Sequence, residues 1–305
     1  MFGRGRGCLA GGMTADTVNT ANEKNSTTVL VLGGTGKTGR RVVSRLRRRG
    51  NVEVRVGSRS GRPRFDWTEE STWDEVLDGV DAVYVVYAPD LGAPGADEVM
   101  GSFARRAVAL GVRRLVLLSG RGEEGAARAE RAVRTSGAEW TVVRCAWFVQ
   151  AFSEDFLRDA VVDGTIALPA GEVPEPFVDA DDIADVAVAA LLDDGHAGRV
   201  YELTGPRALT FAEAAAELSE VTGREVRYAP VPEAEYGAML VEHGLPEVEA
   251  TFLAELFSTV LDGRNAHLTD GVREALGRPP RDFGEAVRDA AAQGAWDLAT
   301  VTPGA

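Results

Sequence analysis

A chain of 305 residues, 45% of them hydrophobic, is long enough for one large α/β domain or for a domain with a smaller lobe. Its net charge of −14 and pI near 4.8 argue against nucleic acid or an anionic membrane as partner. No apolar run reaches the ~18–20 residues that cross a bilayer. Two cysteines, Cys8 and Cys145, make no disulfide framework, and the three histidines are scattered in surface-loop contexts. The expected setting is therefore a reducing cytoplasm, with no metal.

Residues 1–26 are rich in Gly, Thr and Asn and lack the apolar stretch of a secretory signal; they read as a disordered tail, with Met13 as an alternative start. Residues 28–32 are a β-branched, apolar run of strand length. Gly33, Gly34, Gly36 and Gly39 then punctuate the chain, and an amphipathic stretch to Arg49 predicts a helix. The spacing Gly-x-x-Gly-x-x-Gly at Gly33, Gly36 and Gly39 fits a dinucleotide loop, in which pyrophosphate meets backbone N–H groups at a helix N-terminus. A Walker loop fits less well, because its first glycine position falls on Val31, inside the strand. The arginines at 45 and 47–49 read as the solvent face and C-terminal end of this first helix.

Strands at residues 52–56, 82–87, 114–119 and 140–144 alternate with helices at 72–77, 96–110 and 126–136. That rhythm predicts an α/β fold: a doubly wound parallel sheet of Rossmann type over residues 27–150. Past residue 150 it loosens into helices at 181–192, 210–222, 233–242, 247–261 and 282–293 and a strand at 200–204. These predict a smaller C-terminal α/β lobe over 151–305, with elements returning to the core.

Ligands of such sheets bind beyond the carboxyl ends of the strands. The second strand ends at Ser58 and Arg59, where an NAD site places a carboxylate; arginine suits a 2′-phosphate, so NADPH is expected, with Lys37 and Arg40 adding charge. Asp66 either accepts from the adenine amino group with Trp67 packed nearby, or belongs with Trp67 to a helix start and core. Tyr87, Ala88 and Pro89 end the third strand. Ser119 ends the fourth and reaches substrate, nicotinamide or loop backbone; it is the one candidate for a catalytic role. After the fifth come Cys145, Trp147, Phe148, Gln150 and Phe152, an aromatic-rich run that reads as a substrate pocket wall or as core.

An absence is equally informative. Ordinary short-chain dehydrogenases pair a Tyr with a Lys four residues later as proton donor. The only lysines here are Lys24 and Lys37, and no tyrosine has one at that spacing. Without the dyad, acceptors that delocalise charge after hydride addition are favoured: a quinone, an iminium or a cationic dye.

On the residues 31–39, 65–67, 79–84, 136–137, 140–144, 147–148 and 176–186, the chain resembles the NmrA-like group of atypical short-chain dehydrogenases/reductases over roughly Thr28 to Trp296. It departs from that pattern at Cys145 and Gln150. The resemblance implies NADPH phosphates at Gly33, Thr35, Gly36, Lys37, Thr38, Gly39 and Arg59, and nicotinamide against residues 87–89 and 145–147. It also implies that residues 176–186 pack the smaller lobe on the core, with Asp179 or Asp181 capping a helix. The expected function is an NADPH-dependent reductase of a planar conjugated small molecule. A non-catalytic NADP(H) sensor with a protein partner, or a non-redox isomerase or cyclase of secondary metabolism, are the alternatives. A homodimer is compatible with each.

Overall fold

The computed structural model describes residues 26–297; all of the predicted tail except Ser26 lies outside the described residues. Six parallel strands form the main sheet: β1 (Thr27–Leu32), β2 (Val52–Gly57), β3 (Ala82–Val85), β4 (Arg114–Gly120), β5 (Glu139–Cys145) and β7 (Arg199–Leu203). Their order is β2-β1-β3-β4-β5-β7. β1, β3 and most of β4 are apolar on both faces, because helices cover both. On one face α1 (Lys37–Arg47) and α7 (Ala180–Leu192) bury Val42, Leu46, Ile183 and Val186 against Val29, Val31, Tyr84 and Val143. On the other, α2 (Trp73–Leu77), α3 (Ala96–Ala109) and α4 (Glu124–Arg134) cover Leu30, Leu32, Val83, Leu115 and Leu117.

β1 lies between β2 and β3, so the sheet grows one way after β1 and the other way from β3 onward. This reversal opens a crevice above the carboxyl ends of β1 and β3. β3 stops at Val85, two residues short of the expected end, where the chain turns through Tyr87, Ala88 and Pro89.

The smaller lobe holds α5 (Ala151–Glu154), α6 (Leu157–Asp163), α8 (Phe211–Thr222), α9 (Glu233–Glu242), α10 (Glu247–Val260) and α12 (Phe283–Ala292). It also holds a two-stranded parallel sheet of β6 (Thr165–Leu168) and β8 (Arg227–Pro230). Its core is a knot of Phe152, Phe177, Phe211 and Phe283, with ring centroids 5.3–6.0 Å apart. Thr210 and Glu213 form a capping box on α8. β6 and β8 went unread in sequence because each has four residues, and β8 ends in a proline that weakens a strand signal. α11 (Gly271–Leu276) returns to pack on β7 and α7.

Asp179 caps α7, accepting from Asp181 N at 2.8 Å. The reading of Arg45 as a solvent-facing residue is corrected. Arg45 pairs with Asp181 and Asp185 of α7, and Arg41 with Glu154 and Asp181, so the arginine stripe of α1 is a seam between two helices.

Candidate cofactor and substrate site

The glycine loop follows β1 directly. Gly33 takes φ +65°, a left-handed conformation that glycine adopts without strain, and its carbonyl accepts from Gly36 N at 2.9 Å. A Cβ on Gly39 would lie 2.1 Å from Gly33 O, so only glycine lets α1 start this close to the strand. Gly36 is the N-cap in extended conformation, without a side-chain cap, and the first turn of α1 carries no acidic residue. The N–H groups of Lys37, Thr38 and Gly39 have no backbone acceptor among the described residues. Gly33, Thr35 and Gly36 are exposed, while Thr38 is buried. Beneath the loop the Tyr84 hydroxyl, fully buried, lies near Thr38 but outside hydrogen-bond geometry, and burial pushes its phenol up. An open set of N–H donors at the positive end of a helix, closed to side chains by Gly39, fits a dinucleotide pyrophosphate.

The cations predicted around this loop separate. Lys37 pairs with Asp155, and Arg40 with Glu154, both from the α5–α6 corner. Arg59, at the end of β2, is exposed, and its side chain has no hydrogen bond or ion pair among the described residues. Ser58 is half-buried and turns the loop: its carbonyl accepts from Gly61 N at 3.1 Å and Phe65 N at 2.9 Å.

Asp66 is occupied locally. It accepts from Thr68 N and Oγ1 and pairs with Arg64 at 3.1 Å, and these hydrogen bonds hold its carboxyl below the usual range. Trp67 donates to Val86 O at 3.2 Å and packs edge-on against Phe65 and Phe103. Its ring lies 5.1 Å from that of Tyr87, which is half-buried; Ala88 and Pro89 are exposed beyond it. The structure thus gathers Gly33, Trp67 and Tyr87 around Val86.

At the ends of β4 and β5 the register sets Ser119, Arg144 and Glu202 side by side. Buried Ser119 donates to Glu130 of α4 at 2.7 Å; Arg144 forks onto Glu130 and reaches Glu202. Ser119 is therefore tied to a carboxylate. Cys145 is buried and unpaired, and burial pushes its thiol up, which works against a thiolate nucleophile. The next residues diverge. Trp147 is half-buried, donates its backbone N–H to Glu175 at 3.1 Å, and packs on Phe257 of α10 at 4.8 Å and Phe211 at 5.8 Å. Phe156, 47% exposed, stacks on Phe257 at 5.7 Å. These rings form an aromatic wall shared between the β5 end and the smaller lobe. Phe148 packs toward α7, and Phe152 has no exposed surface. Gln150 spends both ends of its amide on Asp179 and on Ala180 N, fixing the start of α7.

Four acids here escaped the sequence reading. Glu130 is held by Arg144; Asp90 takes Gly92 N at 2.7 Å, and burial raises its carboxyl. Burial pushes Glu175 up to about 7, and burial with Asp90 and Glu130 nearby pushes Glu123 up to about 8. The local signal was the Glu123-Glu124 pair, three residues past the β4 end. Two surface hollows of about 320 and 450 Å³ lie along the β7 edge; Arg144 and Glu202 line the smaller, and no residue of the glycine loop or the aromatic wall lines either.

A model of NAD(P)H-binding proteins matches residues 33–194, and a model of the NmrA-like family matches residues 125–269. Prestalk A differentiation protein A of Dictyostelium discoideum is 32% identical over 271 residues, covering 84% of this chain and 89% of that one. An NAD(P)H azoreductase of Xenophilus azovorans is 32% identical over 288 residues, covering 88% and 99%. The Citrobacter sp. triphenylmethane reductase, solved with NADP(H), superposes with a TM-score of 0.71 at 22% identity, over 87% of this chain and 100% of that one, a likeness of fold. A glycine cradle at the sheet's switch point, inside the span of the NAD(P)H-binding model, the NmrA-like match over the second half of the chain, and relatives aligned over most of their length agree: the chain belongs to the NmrA-like family of NAD(P)H-binding, atypical short-chain dehydrogenases/reductases.

Proposed function

We propose that the chain is an NADPH-dependent reductase that delivers hydride to a planar, conjugated small molecule such as a quinone, an iminium compound or a dye. The observation that carries the cofactor half is the glycine cradle of α1, beside which Arg59 keeps a free guanidinium at the end of β2. Gly33 to Gly39 would hold the pyrophosphate, and Arg59 the 2′-phosphate by charge-assisted hydrogen bonds. The cofactor, when bound, supplies the hydride. The chain's own part is to orient and to exclude water. Trp147, Phe156 and Phe257 offer flat apolar faces to a planar acceptor. The azoreductase among the relatives acts on a conjugated acceptor by its name, which supports the substrate class. No helix among the described residues is long and apolar enough to cross a membrane, and Cys145 is unpaired; we place the activity in the cytoplasm.

The test follows NADPH oxidation at its near-ultraviolet absorbance against quinones, iminium compounds and cationic dyes, with NADPH binding titrated in parallel. Turnover with any acceptor is expected. Tight binding without turnover across the panel overturns the reductase reading in favour of a sensor.

A further inference from the structure

Glu123 has no assigned role, and its geometry is unusual. It is the N-cap residue of α4, yet its side chain makes no capping hydrogen bond. The carboxyl folds back over the end of β4 instead: a Cβ on Gly120 would lie 1.8 Å from Glu123 Oε1, so Gly120 leaves the space the carboxyl fills. Gly120 pairs in register with Cys145, and Arg121 N donates to Cys145 O at 3.0 Å. The carboxyl thus sits at the carboxyl ends of β4 and β5, where the acceptor is expected. From the other side, a Cβ on Gly92 would lie 2.9 Å from Glu123 Oε2 and 3.0 Å from Asp90 Oδ1, which brings two carboxyls together.

No cation answers them. The Glu123 carboxyl has no hydrogen bond or ion pair among the described residues, although it is only partly exposed. Arg121, two residues away, turns its guanidinium to Asn265 O at 3.1 Å and His267 O at 3.2 Å. Arg144 is spent on Glu130 and Glu202. The groups facing Glu123 are therefore Asp90, from the loop after β3, and Glu130, from α4, both acids. A desolvated carboxyl between acids retains its proton at neutral pH, up to about 8.

We infer that Glu123 is the proton donor to the reduced acceptor, filling the role of the missing tyrosine. The inference rests on the reductase reading above. In the step, hydride forms a new C–H bond on the acceptor, and the electron pair of the broken π bond moves to oxygen or nitrogen. That atom takes the proton of the Glu123 O–H and leaves a carboxylate, which solvent reprotonates. A quinone requires this proton. A cationic dye, neutralised by hydride alone, does not.

The test compares Glu123→Gln with the parent chain on a quinone and on a cationic dye. The quinone-to-dye ratio of kcat is expected to fall about 100-fold. The parent's quinone rate should decline above about pH 8, and that decline should vanish in the variant. A second readout needs no turnover: carboxyl-carbon NMR of the glutamate-labelled full chain without cofactor, with the Glu123 signal identified by its loss in the variant. A midpoint near 8 is expected. An unchanged ratio, or a midpoint in the ordinary carboxylate range, overturns the donor role. A chain that reduces neither acceptor overturns the reductase reading itself and the donor role with it.

Discussion

Replacing Gly39 by Ala probes the cradle most directly, because two opposing effects are both known. Alanine in place of a helical glycine favours the helix by about 1 kcal/mol. Against that, the new Cβ would stand 2.1 Å from Gly33 O, 2.7 Å from Gly33 C and 2.9 Å from Gly34 Cα, all backbone atoms, where ordinary contact begins at 3.4 Å. Relief requires α1 to withdraw by about 1.3 Å, the difference between 3.4 and 2.1 Å. Buried Val42 and Leu46 resist that shift, as do the Arg41 and Arg45 pairs to α7. Overpacking against rigid neighbours costs about 3 kcal/mol at the upper end of its usual range, leaving a net loss of about 2 kcal/mol. The melting temperature should fall by roughly 4–8 °C, and NADPH should restore little of it because the loop no longer approaches the pyrophosphate. Gly50→Ala is the control, since nothing lies within 4 Å of its added Cβ. Thermal unfolding with and without NADPH decides. A Gly39→Ala protein as stable as the parent and equally stabilised by NADPH refutes the close-approach argument.

Three further outcomes are expected. Arg59→Ala should weaken NADPH by about 10- to 100-fold, the range of a charge-assisted hydrogen bond, and leave NADH within about twofold. Fluorescence titration reads both cofactors, and equal losses would move the 2′-phosphate to Lys37 and Arg40. Trp147→Ala should lower kcat/KM for the acceptor at least about tenfold by opening the aromatic wall, with the NADPH Kd unchanged. Loss of NADPH binding would make the ring a structural support. Glu175→Gln should flatten stability against pH. The folded protein holds the Glu175 proton up to about 7, whereas the unfolded chain releases it near 4.5, so stability drains away as pH rises through that window. The amide keeps an acceptor for Trp147 N, and the gap between urea midpoints at pH 5 and pH 8 should narrow; an unchanged gap argues against the burial effect.

The fold was legible in the sequence wherever structure is local. The β-then-α rhythm, the glycine spacing and the Thr210–Glu213 box depend on residues a few positions apart, and each appears in the fold. The site was legible up to the strand ends and no further. Ser119, Glu130, Arg144 and Glu202 form one network because parallel register aligns them, although Arg144 and Glu202 are 58 residues apart in sequence. The run from Cys145 to Phe152 reads as a pocket wall or as core and sequence alone does not divide it; in the structure β5 ends at Cys145 and the single turn of α5 carries Phe152 into the lobe's core. The cations expected to act together part company through acids far along the chain: Glu154 claims Arg40, 114 residues away, and Asp155 claims Lys37, 118 residues away, while Arg59 has no ion pair among the described residues. Glu123 was hidden because a search for tyrosine and lysine passes over a carboxyl that is pushed up by burial and by Asp90 and Glu130, an environment set by the fold.

The place of β7 in the sheet has a consequence for how the protein is made. β5 finds its outer neighbour only when Arg199–Leu203 has left the ribosome, and α1 gains its helical partner only with Ala180–Leu192. A nascent chain ending near residue 150 would hold the whole glycine loop with β5 as a bare edge and one flank of α1 uncovered. Such pairings across long sequence separations close slowly. The nucleotide half is therefore no early-folding module to which the rest is added; its last strand arrives after the first helices of the other lobe. Nucleotide affinity should appear late in synthesis, in one step with the completed sheet.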